Sequence, residues 1–151
     1  MREFATLDEM RALVGQEVAV SEWVEVTQDR INVFADATDD HQWIHVDPAR
    51  CERESPFKTP VAHGFLTLSL VSSLFEKSIR MADARMVINY GMNKVRFPAP
   101  VPVGSRVRAH LTLLKVQDLD DCAQLEWNVV VEREGADKPV CVAELLLRRY
   151  G

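Results

Sequence analysis

The sequence predicts an α+β domain in which one long, buried helix is wrapped by a curved antiparallel sheet. Three observations carry that expectation. The stretch VAHGFLTLSLVSSLFEKSI, residues 61–79, spreads Phe65, Leu66, Leu68, Leu70, Val71, Leu74, Phe75 and Ile79 around nearly the whole circumference of a helix. A helix that is apolar all round belongs inside rather than on a surface. Downstream, MVINYGMNKVRF, RVRAHLTLLKV, AQLEWNVVVERE and VCVAELLLRRY read as four strands. Their connections are short and carry turn residues: Pro98, Pro100, Pro102 and Gly104, then DLDD, then EGADKP. Strands this close in sequence are expected to pair antiparallel, and with one strand from the first half they make a sheet of about five.

Each element follows from local chemistry. Thr6 and Glu9 in TLDE have the spacing of a capping box, so a short helix is expected to start there and run to about Val14, with Gly15 ending it. EVAVSEWVEV, residues 17–26, puts Val18, Val20, Val24 and Val26 on one side at period two and reads as a strand. Thr27 is placed to cap a second helix whose Ile31, Phe34, Ala35 and Thr38 recur at helical spacing. Asp47-Pro48 has the form of a cap and first-turn proline. Gly91 inside its strand marks a bulge. No repeat, low-complexity segment or linker interrupts the chain, so residues 1–151 are expected to form a single domain.

Composition narrows the function. The 18 basic and 23 acidic residues leave a formal net charge of -5, which argues against nucleic acid as the main partner. Cys51, Cys122 and Cys141 are odd in number and widely spaced, which suits neither a disulfide framework nor a zinc knuckle. Reduced cysteines, an N-terminus without an apolar signal region and no apolar run long enough for a membrane span together predict a cytoplasmic protein.

Titratable chemistry concentrates in TDDHQWIHVDP, residues 38–48. Asp40 and His45 lie five apart in a loop that follows a helix. A carboxylate and an imidazole held together can share one water, one accepting a proton while the other donates. Asp39, Asp40 and Asp47 are equally residue types of turns and caps, and the histidines suit a polar surface. His41, His45, Asp47 and His63 are a third option as metal ligands, although no zinc-type spacing follows them. Trp43 either walls an apolar tunnel or packs the loop down. His63-Gly64 stands where the buried helix begins. A helix N-terminus offers free N–H groups and a positive dipole end, and glycine lets a ligand approach closely; a carbonyl oxygen that becomes negative could be held there. A tight turn explains the same glycine, and a packed turn histidine the same His63. Ser69, farther along, either reaches a site or bonds back to its own helix.

DHQWIHVDP followed by VAHGFLTLSL and then NYGMNKVRFPAPVPVGSRV resembles the MaoC-like dehydratase family, and more narrowly the nodulation-protein-N-like branch of its R-specific enoyl-CoA hydratases. Three motifs in order span essentially the whole chain. The resemblance implies the hot-dog fold, usually paired into a homodimer. It also implies reversible hydration of trans-2-enoyl-CoA to the (R)-3-hydroxyacyl-CoA, an activity of fatty acid metabolism. It places the family's catalytic Asp and His on Asp40 and His45, its His-Gly on His63 and Gly64 with the Gly N–H toward the thioester oxygen, and a helix serine on Ser69. Many members read Asn-Pro where this chain has Gln42-Trp43; that departure bears on the acyl pocket and on any role of Gln42 in holding the loop.

The implied chemistry needs no metal or redox cofactor, and coenzyme A enters only as part of the acyl-CoA substrate. Lys94, Arg96, Arg106 and Arg108 flank the proline-rich stretch and suit either the CoA phosphates or a solvated strand face. Two other classes share the features named so far: a hot-dog acyl-CoA thioesterase, and a non-catalytic acyl-CoA-binding protein. The Asp–His pair ahead of the helix favours the hydratase.

Overall fold

A computed structural model describes all residues, 1–151. The chain runs β1 (Arg2–Phe4), α1 (Leu7–Arg11), β2 (Glu17–Val20), β3 (Val24–Glu25), α2 (Gln28–Thr38), α3 (Trp43–Val46), α4 (Pro48–Glu54), α5 (Gly64–Ser78), β4 (Ile79–Met81), β5 (Met86–Arg96), β6 (Arg106–Asp118), β7 (Ala123–Arg133) and β8 (Cys141–Tyr150). The main sheet has the order β2-β6-β7-β8-β5, with β3 also on β6, and its pairs are antiparallel. β1 and β4 form a small parallel pair apart from it.

The core lies between α5 and one face of this sheet. β6 buries Val107, Ala109, Leu111 and Leu113, and β7 buries Leu125, Trp127, Val129 and Val131, the period-two alternation of a half-covered sheet. Leu66, Leu70, Val71, Leu74 and Phe75 of α5 meet them. Phe75 stands edge-on to Trp127, with ring centroids 5.0 Å apart.

The caps are where the residue types place them. Thr6 accepts the Glu9 N–H at 3.4 Å, while the Glu9 carboxylate accepts from Ala5, one residue before the cap. Thr27 accepts from the Arg30 N–H and Asp47 from the Arg50 N–H. Gly91 sits at a register shift, with Asn89 opposite Leu147 and Gly91 opposite Leu146, which leaves Tyr90 as the extra residue of a bulge.

Five expectations require correction. α1 stops at Arg11 rather than near Val14; residues 12–15 form turns that end at Gly15, whose φ of 87° favours glycine. Residues 17–26 are two strands, not one. A register shift between Glu17 and Ala19 breaks the alternation, so Val18 is buried and Val20 exposed, and Ser21 then takes the Ala109 N–H on its hydroxyl. Thr38 is exposed and bonds back to the Phe34 carbonyl instead of packing inward. β5 does not pair with β6 but crosses to the opposite edge beside β8. The segment between them, with three prolines that donate no hydrogen bond, runs along residues 60–62 through Ala62 N–H to Val101 and Val103 N–H to Pro60. Finally, α5 is covered on one side only: Phe65 is 70% exposed, and Ser69, Ser72 and Glu76 are also exposed.

Candidate active site

Three local structures bring the titratable residues together. α2 ends on Asp39, which is left-handed at φ 58°, a conformation that Asp tolerates better than most side chains. The Asp40 N–H returns to the Ala35 carbonyl at 3.2 Å, and its carboxylate stays exposed and accepts the Gln42 N–H. The single turn α3 then carries His45 inward to 7% exposure. Gln28 donates to the His45 carbonyl at 2.8 Å and holds that turn against α2.

The ring nitrogens have assigned roles because two of them face carbonyl oxygens, which only accept. His45 Nδ1–H donates to the Val61 carbonyl at 2.6 Å, leaving Nε2 with a lone pair. His63 Nε2–H donates to the backbone carbonyl of Asp40 at 2.9 Å. The two rings stack with centroids 3.8 Å apart and planes 22° from parallel. The Phe34 ring packs tilted against His63, with centroids 4.9 Å apart. A carboxylate oxygen of Asp40 and a ring nitrogen of each histidine lie within 4.8 Å of one another. Two hydrogen bonds to one water span about that distance.

His45 is held below the ordinary histidine pKa, chiefly by burial. Its bond to the Val61 carbonyl opposes that shift, the nearby His63 adds to it, and the Asp40 carboxylate opposes it. The ring is therefore poised as a neutral acceptor near pH 7.

Gly64 begins α5, and its N–H has no acceptor within the protein, as first-turn N–H groups do not. It borders a pocket of about 310 Å³ whose walls include Ile44, His45, Phe57, Thr67, Phe97 and Val140. The Phe97 ring lies directly over Gly64: a Cβ there would stand 3.0 Å from the ring. A larger cavity of about 690 Å³ lies at the far end of α5, between that helix and β5, and contains none of these groups.

The structure thus gathers Asp40, His45, His63 and Gly64. Of these, His45 and Gly64 line the pocket and Asp40 and His63 do not; Ser69, Gln42 and Trp43 do not line it either. Ser69 is exposed and bonds back to the Phe65 carbonyl at 2.7 Å. Gln42 is exposed and caps α3 with its backbone, accepting the His45 N–H. Trp43 packs the loop, with the Arg50 guanidinium 4.4 Å over its ring. His63 is 2% exposed and is absent from the pocket wall, so it does not sit where a substrate-binding group would. Of the residues weighed as metal ligands, His41 pairs with Asp36 and Asp47 caps α4, whereas Asp40 joins His45 and His63. The lone pairs of two stacked imidazoles lie in nearly parallel planes and do not converge on one ion. Lys94, Arg106 and Arg108 pair with Glu144, Glu134 and Glu132 across the sheet, the arrangement of a solvated strand face, and Arg96 donates to the Val95 carbonyl. Sequence reasoning missed Gln28, the Val61 carbonyl, Thr67 and Phe97. Only Thr67, the lone polar residue on the inner side of the helix start, left a trace there.

Similarity to known proteins runs along most of the chain. The family model "MaoC like domain" matches residues 9–134. The 3-hydroxyacyl-thioester dehydratase Z of Mycobacterium tuberculosis is 50% identical over 149 residues, covering 98% of each chain. Nodulation protein N of Rhizobium meliloti is 44% identical over 146 residues, covering 91% of this chain and 87% of that one. The (R)-hydratase from A. caviae superposes with a TM-score of 0.73 at 23% identity, over 89% of this chain and 94% of that one. The architecture is therefore the hot-dog fold, and the enzyme class is hydro-lyase. The chain belongs to the MaoC-like dehydratase family.

Proposed function

We propose that this enzyme adds water reversibly to a trans-2-enoyl-CoA and yields the (R)-3-hydroxyacyl-CoA. The observation that carries the reading is an Asp40 carboxylate oxygen within 4.8 Å of a His45 ring nitrogen, near enough for the two to share one water, beside a pocket bordered by the unpaired Gly64 N–H. In the hydration direction the water donates one hydrogen bond to Asp40 and the other to His45 Nε2. As its oxygen bonds to C3, His45 takes a proton and the C2–C3 π electrons move onto the thioester oxygen. The Gly64 N–H and the N-terminal dipole of α5 stabilise that oxyanion. The imidazolium then returns a proton to C2, so one molecule of water has been added and His45 is neutral again. No metal or redox cofactor enters this chemistry; coenzyme A is the handle of the substrate, and its thioester bond stays intact throughout. The name of the 50%-identical relative, a 3-hydroxyacyl-thioester dehydratase, supports the same reaction read backwards.

The working unit is proposed to be a homodimer. β5 is an eleven-residue edge strand with one side unpaired, and Met86, Val87, Ile88 and Tyr90 on it are exposed. An edge of that length and character invites a partner. No helix is long and apolar enough to cross a membrane. The proposed place of work is the reducing cytoplasm, where free cysteines such as Cys51, Cys122 and Cys141 stay reduced.

The test is a screen of trans-2-enoyl-CoAs from C4 to C16, read at the enoyl absorbance with a thiol reagent in parallel. Loss of absorbance without thiol release is expected. Thiol release would make the enzyme a thioesterase, and binding without turnover a non-catalytic acyl-CoA-binding protein.

A further inference from the structure

We propose that His63 is the positioning residue of this site: it ties the backbone of Asp40 to the ring of His45 and so sets the gap in which the water is held. One side chain reaches both halves of the pair. Its Nε2–H holds the Asp40 carbonyl at 2.9 Å, and its face stacks on His45 at 3.8 Å. It is anchored as the cap residue of α5, where its own carbonyl takes the Leu66 and Thr67 N–H groups. Asp40 is otherwise bonded only to α2 and its own loop, through its N–H to Ala35 and its carboxylate to Gln42, so this hydrogen bond is its direct tie to the start of α5.

His63 Nδ1 is buried without any partner, so the Nε2–H to Asp40 is the one hydrogen bond the ring makes. The titratable groups facing the His45 ring are Asp40, from the loop after α2, and His63, from the start of α5, and removing His63 removes an influence that keeps the His45 pKa down.

The kinetic part of the test rests on the hydratase reading, and the spectroscopic part does not. In ¹⁵N-labelled wild-type protein near pH 7.5, NMR is expected to show His63 as the Nε2–H tautomer and His45 as the Nδ1–H tautomer. His63 found as the Nδ1–H tautomer overturns the proposal, whatever the substrate turns out to be. His63→Leu keeps bulk and burial but loses the donor. It is expected to lower kcat about 10²-fold, the scale of a small misplacement of reacting groups, with KM nearly unchanged and the acid limb of the rate profile moved to higher pH. His63→Gln restores an N–H donor and is expected to recover at least tenfold of that loss. A folded His63→Leu enzyme with wild-type kcat and an unmoved pH profile, or a folded Gln variant no better than Leu, would overturn it. A wild-type protein that hydrates no enoyl-CoA would instead sink the functional reading while leaving the tautomers to decide this one.

Discussion

Replacing Gly64 separates the role of its N–H from the role of its missing side chain. Gly64→Ala places a Cβ 3.0, 3.1 and 3.3 Å from three atoms of the Phe97 ring, inside the usual 3.5–4.0 Å carbon separation. The ring must retreat by about half an ångström. Phe97 is 43% exposed, so it can do so without disturbing the core. Gly64 is not among the glycines with positive φ, so alanine is not strained there; it also reduces the freedom of the unfolded chain by about 0.4–1 kcal/mol. The melting temperature should therefore hardly change, and the activity loss reports the displaced ring. Gly64→Pro adds the same Cβ but also removes the N–H. Proline suits the first helical position, and His63 before it, at φ -57° and ψ 139°, already has the extended conformation that precedes proline. The additional loss from Ala to Pro should be ~10²–10³-fold in kcat, about 3–4 kcal/mol, as for other single oxyanion donors. The assay is enoyl-CoA absorbance under saturating substrate, with thermal melting of both variants as the control. If the two variants melt alike and differ less than about threefold in kcat, well short of a donor deletion, the oxyanion is held by something other than this N–H.

Asp40→Asn and His45→Gln should each lower kcat at least ~10²-fold with the fold intact, and the double variant should be scarcely worse than the worse single, because the proposed mechanism has both acting on one water. Near-wild-type turnover in either folded single variant would remove it from the mechanism. Because the folded pKa of His45 lies below the unfolded value of 6.5, the unfolded chain binds a proton first as the pH falls. The stability that neutral His45 contributes is thus present above about pH 6.5 and is lost as pH falls through the folded value; chemical denaturation between pH 7.5 and 5 should show less acid destabilisation in His45→Gln than in wild type. Light scattering at micromolar concentration should return twice the chain mass of 17.1 kDa, and a Tyr90→Lys change on the β5 edge should shift it toward the monomer. A wild-type monomer at that concentration would count against the edge-strand interface.

How much of this was legible in the chain depends on how far each interaction reaches along it. Caps at Thr6, Thr27 and Asp47, the bulge at Gly91 and the strand patterns of β6 to β8 depend on neighbours within a few residues, and the residue types there carry them openly. Asp40, His45, His63 and Gly64 could be named from three motifs resembling one family, though not from spacing alone. The pause in the first long strand was hidden because Ser21 answers to Ala109, 88 residues away. Phe97 looked like the end of a strand, since nothing near it in the chain shows that it closes over Gly64.

The same distinction separates the two levels of this enzyme. Side-chain type and periodicity were enough for an α+β domain with a helix against an antiparallel sheet, and for a polar loop ahead of that helix. The strand order β2-β6-β7-β8-β5, the open side of α5, and the tautomers of two stacked histidines were not. Periodicity records which face of an element is apolar, whatever covers it, and a ring nitrogen takes its hydrogen according to the carbonyl that folding brings opposite. For His45 that carbonyl is Val61 and for His63 it is Asp40, 16 and 23 residues away, so the chemistry of each ring exists only once the chain has closed around it.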